Sequence, residues 1–215
     1  MSNDRPQPRV LSRIDRDFEA SPTLWPPSWI AAVWIALLGL TAFAYIATTG
    51  GWRPGVEAEL ATSSRFRGEL LAGALLFSLA VSAAARLSIP GLDNAARWRL
   101  VLGCSVGLWL ALFAWGVHEP HVEPSMLGKR PGCQFEVALF GFLGALLLLP
   151  ALSRRLSLAP RLTGAVLLGS GALVSNLAMQ VGCMIEPWHA LTHHAAPVIA
   201  LAFVGALIGP RVFRI

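Results

Sequence analysis

Six stretches without a charged side chain dominate the chain. They run from about Trp29 to Thr48, Leu70 to Ala85, Leu100 to Val117, Val137 to Leu152, Leu162 to Ile185 and Ala195 to Ile208. The second extends toward Ile89 past Arg86, and Ala190–His194 fits as an additional first turn of the sixth. A helix rises about 1.5 Å per residue, so roughly 20 apolar residues cross a hydrocarbon core about 30 Å thick. The pattern therefore predicts an all-α integral membrane bundle of six transmembrane helices. One large soluble helical bundle does not accommodate six charge-free runs of this length. The first run is read as a span and not as a cleaved leader, because a polar arm precedes it and it exceeds a leader's apolar region. The organisation expected is an arm over residues 1–28, a membrane domain over 29–210 and a short tail over 211–215.

Composition sharpens this reading. Hydrophobic residues make up 55% of the chain and charged ones 13%, with a mean hydropathy of +0.60. Disordered chains have the opposite balance, and soluble domains carry roughly a quarter charged residues. The net charge of +5 alone would suit nucleic acid. Its placement points elsewhere. Arg5, Arg9, Arg13, Arg16, Arg86, Arg97, Arg99, Arg154, Arg155, Arg161, Arg211 and Arg214 fall on one side of the predicted membrane, which is 12 of the 17 basic residues. Arg53, Arg65, Arg67, Lys129 and Arg130 fall on the other. The positive-inside rule then puts both termini in the cytoplasm, as six spans also require. Lipid is an expected partner, and direct contact with nucleic acid is not. Gly164, Gly169, Gly171 and Ala172 in the fifth span, with Gly141 and Gly144 in the fourth, suit close helix packing.

The chemistry-bearing residues gather on the outer side. His118, His121, His189, His193 and His194 lie there, with Cys133 and Cys183. Cys104 falls inside the third span and is read as a small buried apolar residue. Two chemistries suit the set. Thiols outside the cytoplasm can pair, provided their Cα atoms come within about 7 Å. Thiolate, imidazole and carboxylate are also ligands of Zn²⁺ and related ions. Glu186 and His189 stand at i and i+3, and His189 and His193 at i and i+4, so a helix would place all three on one face. With His118 and His121 they form a candidate site for a transition metal, although no cofactor is required. The bland reading is that interfacial histidines are ordinary and that Glu186-Pro187 caps the sixth helix. A membrane metal-handling protein or metalloenzyme is the alternative function. It is weakened because Asn176 and Gln180 are the polar groups at depth in the fifth span, and transport paths keep ionisable groups there. No nucleotide-binding loop or catalytic unit is present, so the chain is not read as an enzyme.

The arm carries one further signal. Leu11, Ile14 and Phe18 fall at i, i+3 and i+7 within a run of mixed charges, ahead of Pro22, Pro26 and Pro27. A short amphipathic helix on a tether suits docking into a partner's groove, and an interfacial helix on lipid is the competing reading.

Residues from about Gly128 to Arg214 resemble the membrane anti-sigma factors called negative regulators of sigma F. The likeness lies in Gly132-Cys133 opening the fourth span, the Gly/Ala-rich fifth span, and Cys183 at its outer end followed by Glu186-Pro187-Trp188. Spans one to three agree by topology. The resemblance implies a multi-pass protein of the bacterial inner membrane that sequesters an extracytoplasmic-function sigma factor. It implies Cys133 and Cys183 as sensor residues, and release on an oxidative, light (singlet oxygen) or metal signal, including light control of carotenoid synthesis. It also implies that the sigma factor is held by the cytoplasmic arm, which leaves Leu11, Ile14 and Phe18 as the contact residues that periodicity selects.

Overall fold

The computed structural model describes residues 25–89, 94–119, 126–153, 157–184 and 186–213. All regular structure among them is helical. Helix α1 spans Pro27–Thr49, a short α2 spans Val56–Thr62, and α3 spans Ser64–Leu87. Helices α4 (Ala95–His118), α5 (Cys133–Ser153) and α6 (Pro160–Gly182) follow, and α7 runs over Pro187–Val212. Six of these, all but α2, are long and apolar enough to cross a membrane. The protein is thus a multi-pass helical bundle, and Leu40, Phe43, Leu71, Leu100, Leu147 and Phe203 form part of its exposed apolar surface. A soluble monomer rarely exposes so much apolar surface, whereas lipid covers it at no cost.

Local chemistry sets the helix ends. Pro27, Pro160 and Pro187 open α1, α6 and α7 at the position where a missing N–H costs nothing. Ser63 accepts from the Phe66 N–H at 3.1 Å to cap α3, and Asn94 accepts from the Arg97 N–H at 3.0 Å to cap α4. These caps lengthen every predicted span but one. Helix α3 starts at Ser64, six residues before its charge-free run, because Arg65 and Glu69 pair within its first turns and Arg67 donates to the Leu60 and Ala61 carbonyls. Helix α6 ends at Gly182, short of the expected Ile185, and α7 starts at Pro187, well before the expected Ala195.

Helix α6 is the hub. In its apolar window 83% of residues are buried, and it packs against α1, α3, α5 and α7. Its small residues explain this. A Cβ on Gly164 would overlap the Gly205 carbonyl, one on Gly209 would overlap the Pro160 carbonyl, and one on Gly171 would collide with Gly141. Gly205 and Gly209 are spaced four apart on α7, the spacing that brings membrane helices to backbone contact. Cys104 differs from its expected place. It sits in α4 but on the exposed side, because Leu102, Trp109 and Phe113 take the inward face of that helix. The end of the bundle holding Cys133 and Cys183 is called the thiol end below.

Candidate functional site: a thiol and imidazole cluster

Three backbone features converge at the thiol end. Gly132, with φ of +76°, makes the left-handed turn that starts α5 at Cys133. Cys183 closes α6, its N–H donating to the Met179 carbonyl at 2.8 Å. The Glu186 carboxylate then accepts from the N–H groups of Trp188 and His189, which starts α7 and turns His189 back toward the two sulfurs.

The geometry is tight. His189 Nε2 lies 3.1 Å from Cys133 Sγ and 3.6 Å from Cys183 Sγ. His194 joins them, and the four ligating atoms all lie within 4.8 Å of one another. The four residues are enclosed, with exposures of 1% for Cys133, 0% for Cys183, 8% for His189 and 1% for His194. The His189 ring stacks on His193 at 4.3 Å and meets His194 edge-on at 5.0 Å. Both cysteines are free thiols. Cys183, just beyond the end of α6, is held well below the ordinary thiol range, chiefly by its hydrogen bond with Cys133. A thiolate there is both a nucleophile and a metal ligand. Neither nitrogen of His194 completes a hydrogen bond by distance and angle, although the ring stands close enough to Cys183 to help lower its thiol. Leaving a buried polar group so costs about 1–3 kcal/mol.

The model of the family described as negative regulator of sigma F matches residues 16–215. The chain belongs to the negative-regulator-of-sigma-F family. Its class is therefore regulatory: a negative regulator of a sigma factor, with a sigma factor as its partner. Neither a curated protein nor a solved structure gives a significant match.

In this negative regulator, the residues selected from sequence divide. Cys133, Cys183 and His189 come together. His193 flanks them by stacking, while its Nδ1 lies 2.8 Å from Thr192 Oγ1. The carboxylate of Glu186 is engaged in capping. His118 is exposed at the end of α4 and belongs to no ligating group among the described residues. His121, Leu11, Ile14 and Phe18 lie outside the described residues.

Sequence reasoning did not single out His194, and the reason is geometric. Residues Ala190–Ala195 form a π-helical turn, in which the repeat lengthens from i+4 to i+5. The partner of His189 across this turn is therefore His194, where α-helical spacing selects His193. Two adjacent histidines were the available signal, but they do not say which of the two turns inward.

A buried ionic layer lies beside the cluster. Arg53, 4% exposed, pairs with Glu59, donates from Nε to the Gln180 carbonyl at 3.2 Å, and lies 5.2 Å from the Phe66 ring centre. Arg65 pairs with Glu69 at 3.4 Å, and Arg130 with Glu136 at 3.5 Å. Arg53, Glu59, Arg65 and Glu69 share the lining of one pocket with His194. Removing one partner of a buried pair leaves an uncompensated charge. Glu59→Ala is expected to cost about 3–5 kcal/mol, read as lost thermal stability of the detergent-solubilised protein. An unchanged melting curve would show that solvent reaches Arg53 there.

Proposed function

We propose that this protein is a membrane anti-sigma factor of the bacterial inner membrane, holding an extracytoplasmic-function sigma factor at the cytoplasmic face. A signal at Cys133 and Cys183 releases it. The observation that carries this reading is the family match over residues 16–215 on a six-span bundle. The uneven division of arginines supports cytoplasmic termini and a thiol end on the oxidising side. The arm docks on the sigma factor through Leu11, Ile14 and Phe18, covering surface that the sigma factor needs for core polymerase.

Two signals suit the site. A two-electron oxidant, or singlet oxygen generated by light, takes two electrons from the sulfur pair, which sheds the protons or the ion it holds, and a disulfide forms. A thiophilic metal ion instead binds both sulfurs and displaces the protons or the ion they hold. Either event changes how the start of α5 is held against the end of α6, and α6 carries the change through the bundle.

The test is co-purification of the sigma factor from membranes with the full chain. Changing Leu11, Ile14 and Phe18 together to Asp is expected to abolish recovery while the protein remains in the membrane. Undiminished recovery by that triple variant would remove the arm from the binding site. Failure of the unaltered chain to recover any sigma factor would remove the function proposed.

A further inference from the structure

We propose that Cys133, Cys183, His189 and His194 form a closed four-ligand site that holds one zinc ion in the resting protein. This goes beyond the regulatory reading, because the ion is held whether or not a sigma factor is bound.

Distances come first. Zn–S bonds of about 2.3 Å and Zn–N bonds of about 2.0–2.1 Å at tetrahedral angles put sulfur and nitrogen about 3.6 Å apart. His189 Nε2 stands 3.1 Å and 3.6 Å from the two sulfurs, already on that scale. The remaining separations, all within 4.8 Å, need a contraction of at most roughly an ångström.

The second observation is His194. It is 1% exposed, neither of its ring nitrogens completes a hydrogen bond, and one of them faces the cluster. A thiol pair that simply formed a disulfide would leave this imidazole unsatisfied. A metal ion satisfies it and fixes its tautomer.

The donor set selects the ion. Two thiolates and two imidazoles suit a borderline d¹⁰ cation in tetrahedral geometry, and Mg²⁺ and Ca²⁺ require oxygen ligands. Of the nearby carboxylates, Glu186 is committed to capping α7 and Glu136 pairs with Arg130. Two thiolates cancel the charge of Zn²⁺, so the buried assembly is neutral, whereas Cu⁺ on the same ligands leaves a net negative charge. Four protein ligands in an enclosed site leave no position for substrate or water, so the ion's role is to tie three helices together and not to catalyse. It joins α5, the residue closing α6, and both turns that start α7.

The full chain, purified in detergent under anaerobic reducing conditions from zinc-replete cells, is expected to retain one zinc per chain through gel filtration. Cys183→Ser and His194→Gln are expected to lose it, and Cys104→Ser, on the exposed face of α4, to retain it. Because the variants test folding as well as binding, cobalt exchange into the unaltered chain gives an independent reading. Tetrahedral d–d absorption with thiolate-to-Co²⁺ charge-transfer bands is expected. A chain that stays metal-free after incubation with Zn²⁺, a cobalt spectrum lacking the thiolate bands, recovery of copper in place of zinc, or full zinc in Cys183→Ser would each overturn the site. Sigma-factor capture by the same preparations separates the two claims. A metal-free chain that captures the sigma factor removes the zinc site alone, and a zinc-bound chain that captures none removes the regulatory reading alone.

Discussion

Serine in place of Cys133 or Cys183 is expected to abolish induction of a sigma-factor-dependent reporter by peroxide, singlet oxygen or cadmium. The hydroxyl is nearly isosteric with the thiol but neither forms a disulfide nor ligates a soft ion, and the close glycine contacts between α6 and α7 should hold the bundle together even where the zinc is lost. Either substitution alone removes the pair, so the double variant should behave like the singles. Such non-additivity is the mark of residues acting as one unit. Cys104→Ser is the matched control, since its thiol stands on the exposed face of α4, away from both cysteines. Reporter output before and after each signal measures the effect. Wild-type induction in Cys133→Ser would end the sensing role. Loss of the response in Cys104→Ser as well would point to general misfolding instead.

The second large effect is structural. Leucine at Gly164 or Gly205 is expected to separate α6 from α7. The Gly164 and Gly205 backbones approach so closely that a Cβ on either would meet a carbonyl of the other helix. Main chain cannot swing aside as a side chain can, so the cost should exceed the about 1–3 kcal/mol of ordinary overpacking. Since α6 contacts most of the other spans, the loss is expected to spread as a lower melting temperature and reduced accumulation in the membrane. Leucine at Gly39, where nothing lies within 4 Å of an added Cβ, should leave both unchanged. Equal stability of the Gly39 and Gly205 variants would contradict the close approach.

The spans were legible because hydropathy over about 20 residues is a coarse, strong signal that does not depend on partners. Their ends were less so. Arg65 and Glu69 precede the charge-free run, yet they lie in α3, where they pair with each other one turn apart. The depth of Cys104 was legible and its face was not, since α4 is apolar on nearly every side and its inward residues are decided by packing. Cys133, Cys183 and His189 could be gathered from topology, as helix ends joined by short turns. His194 could not, because the residue that faces the thiols depends on a single hydrogen-bond register in α7. Glu186 illustrates the opposite case, where one acidic residue before a proline suited both a ligand and a cap, and its two backbone contacts fix it as a cap.

The π-helical turn has a consequence for how α7 tolerates change. An α-helix advances about 100° per residue, so in a regular helix His189 would point away from the stripe formed by His194, Val198, Gly205 and Gly209. The extra residue rotates His189 back onto that stripe, where all five are buried. The helix thus carries two reading frames that differ by one residue, one for the first histidine and one for the glycines. Deleting a residue such as Thr192, exposed in this turn, merges the frames. Either His189 or the glycine face must then leave its partner, so the length of this turn is under tighter constraint than the identity of the side chains that compose it.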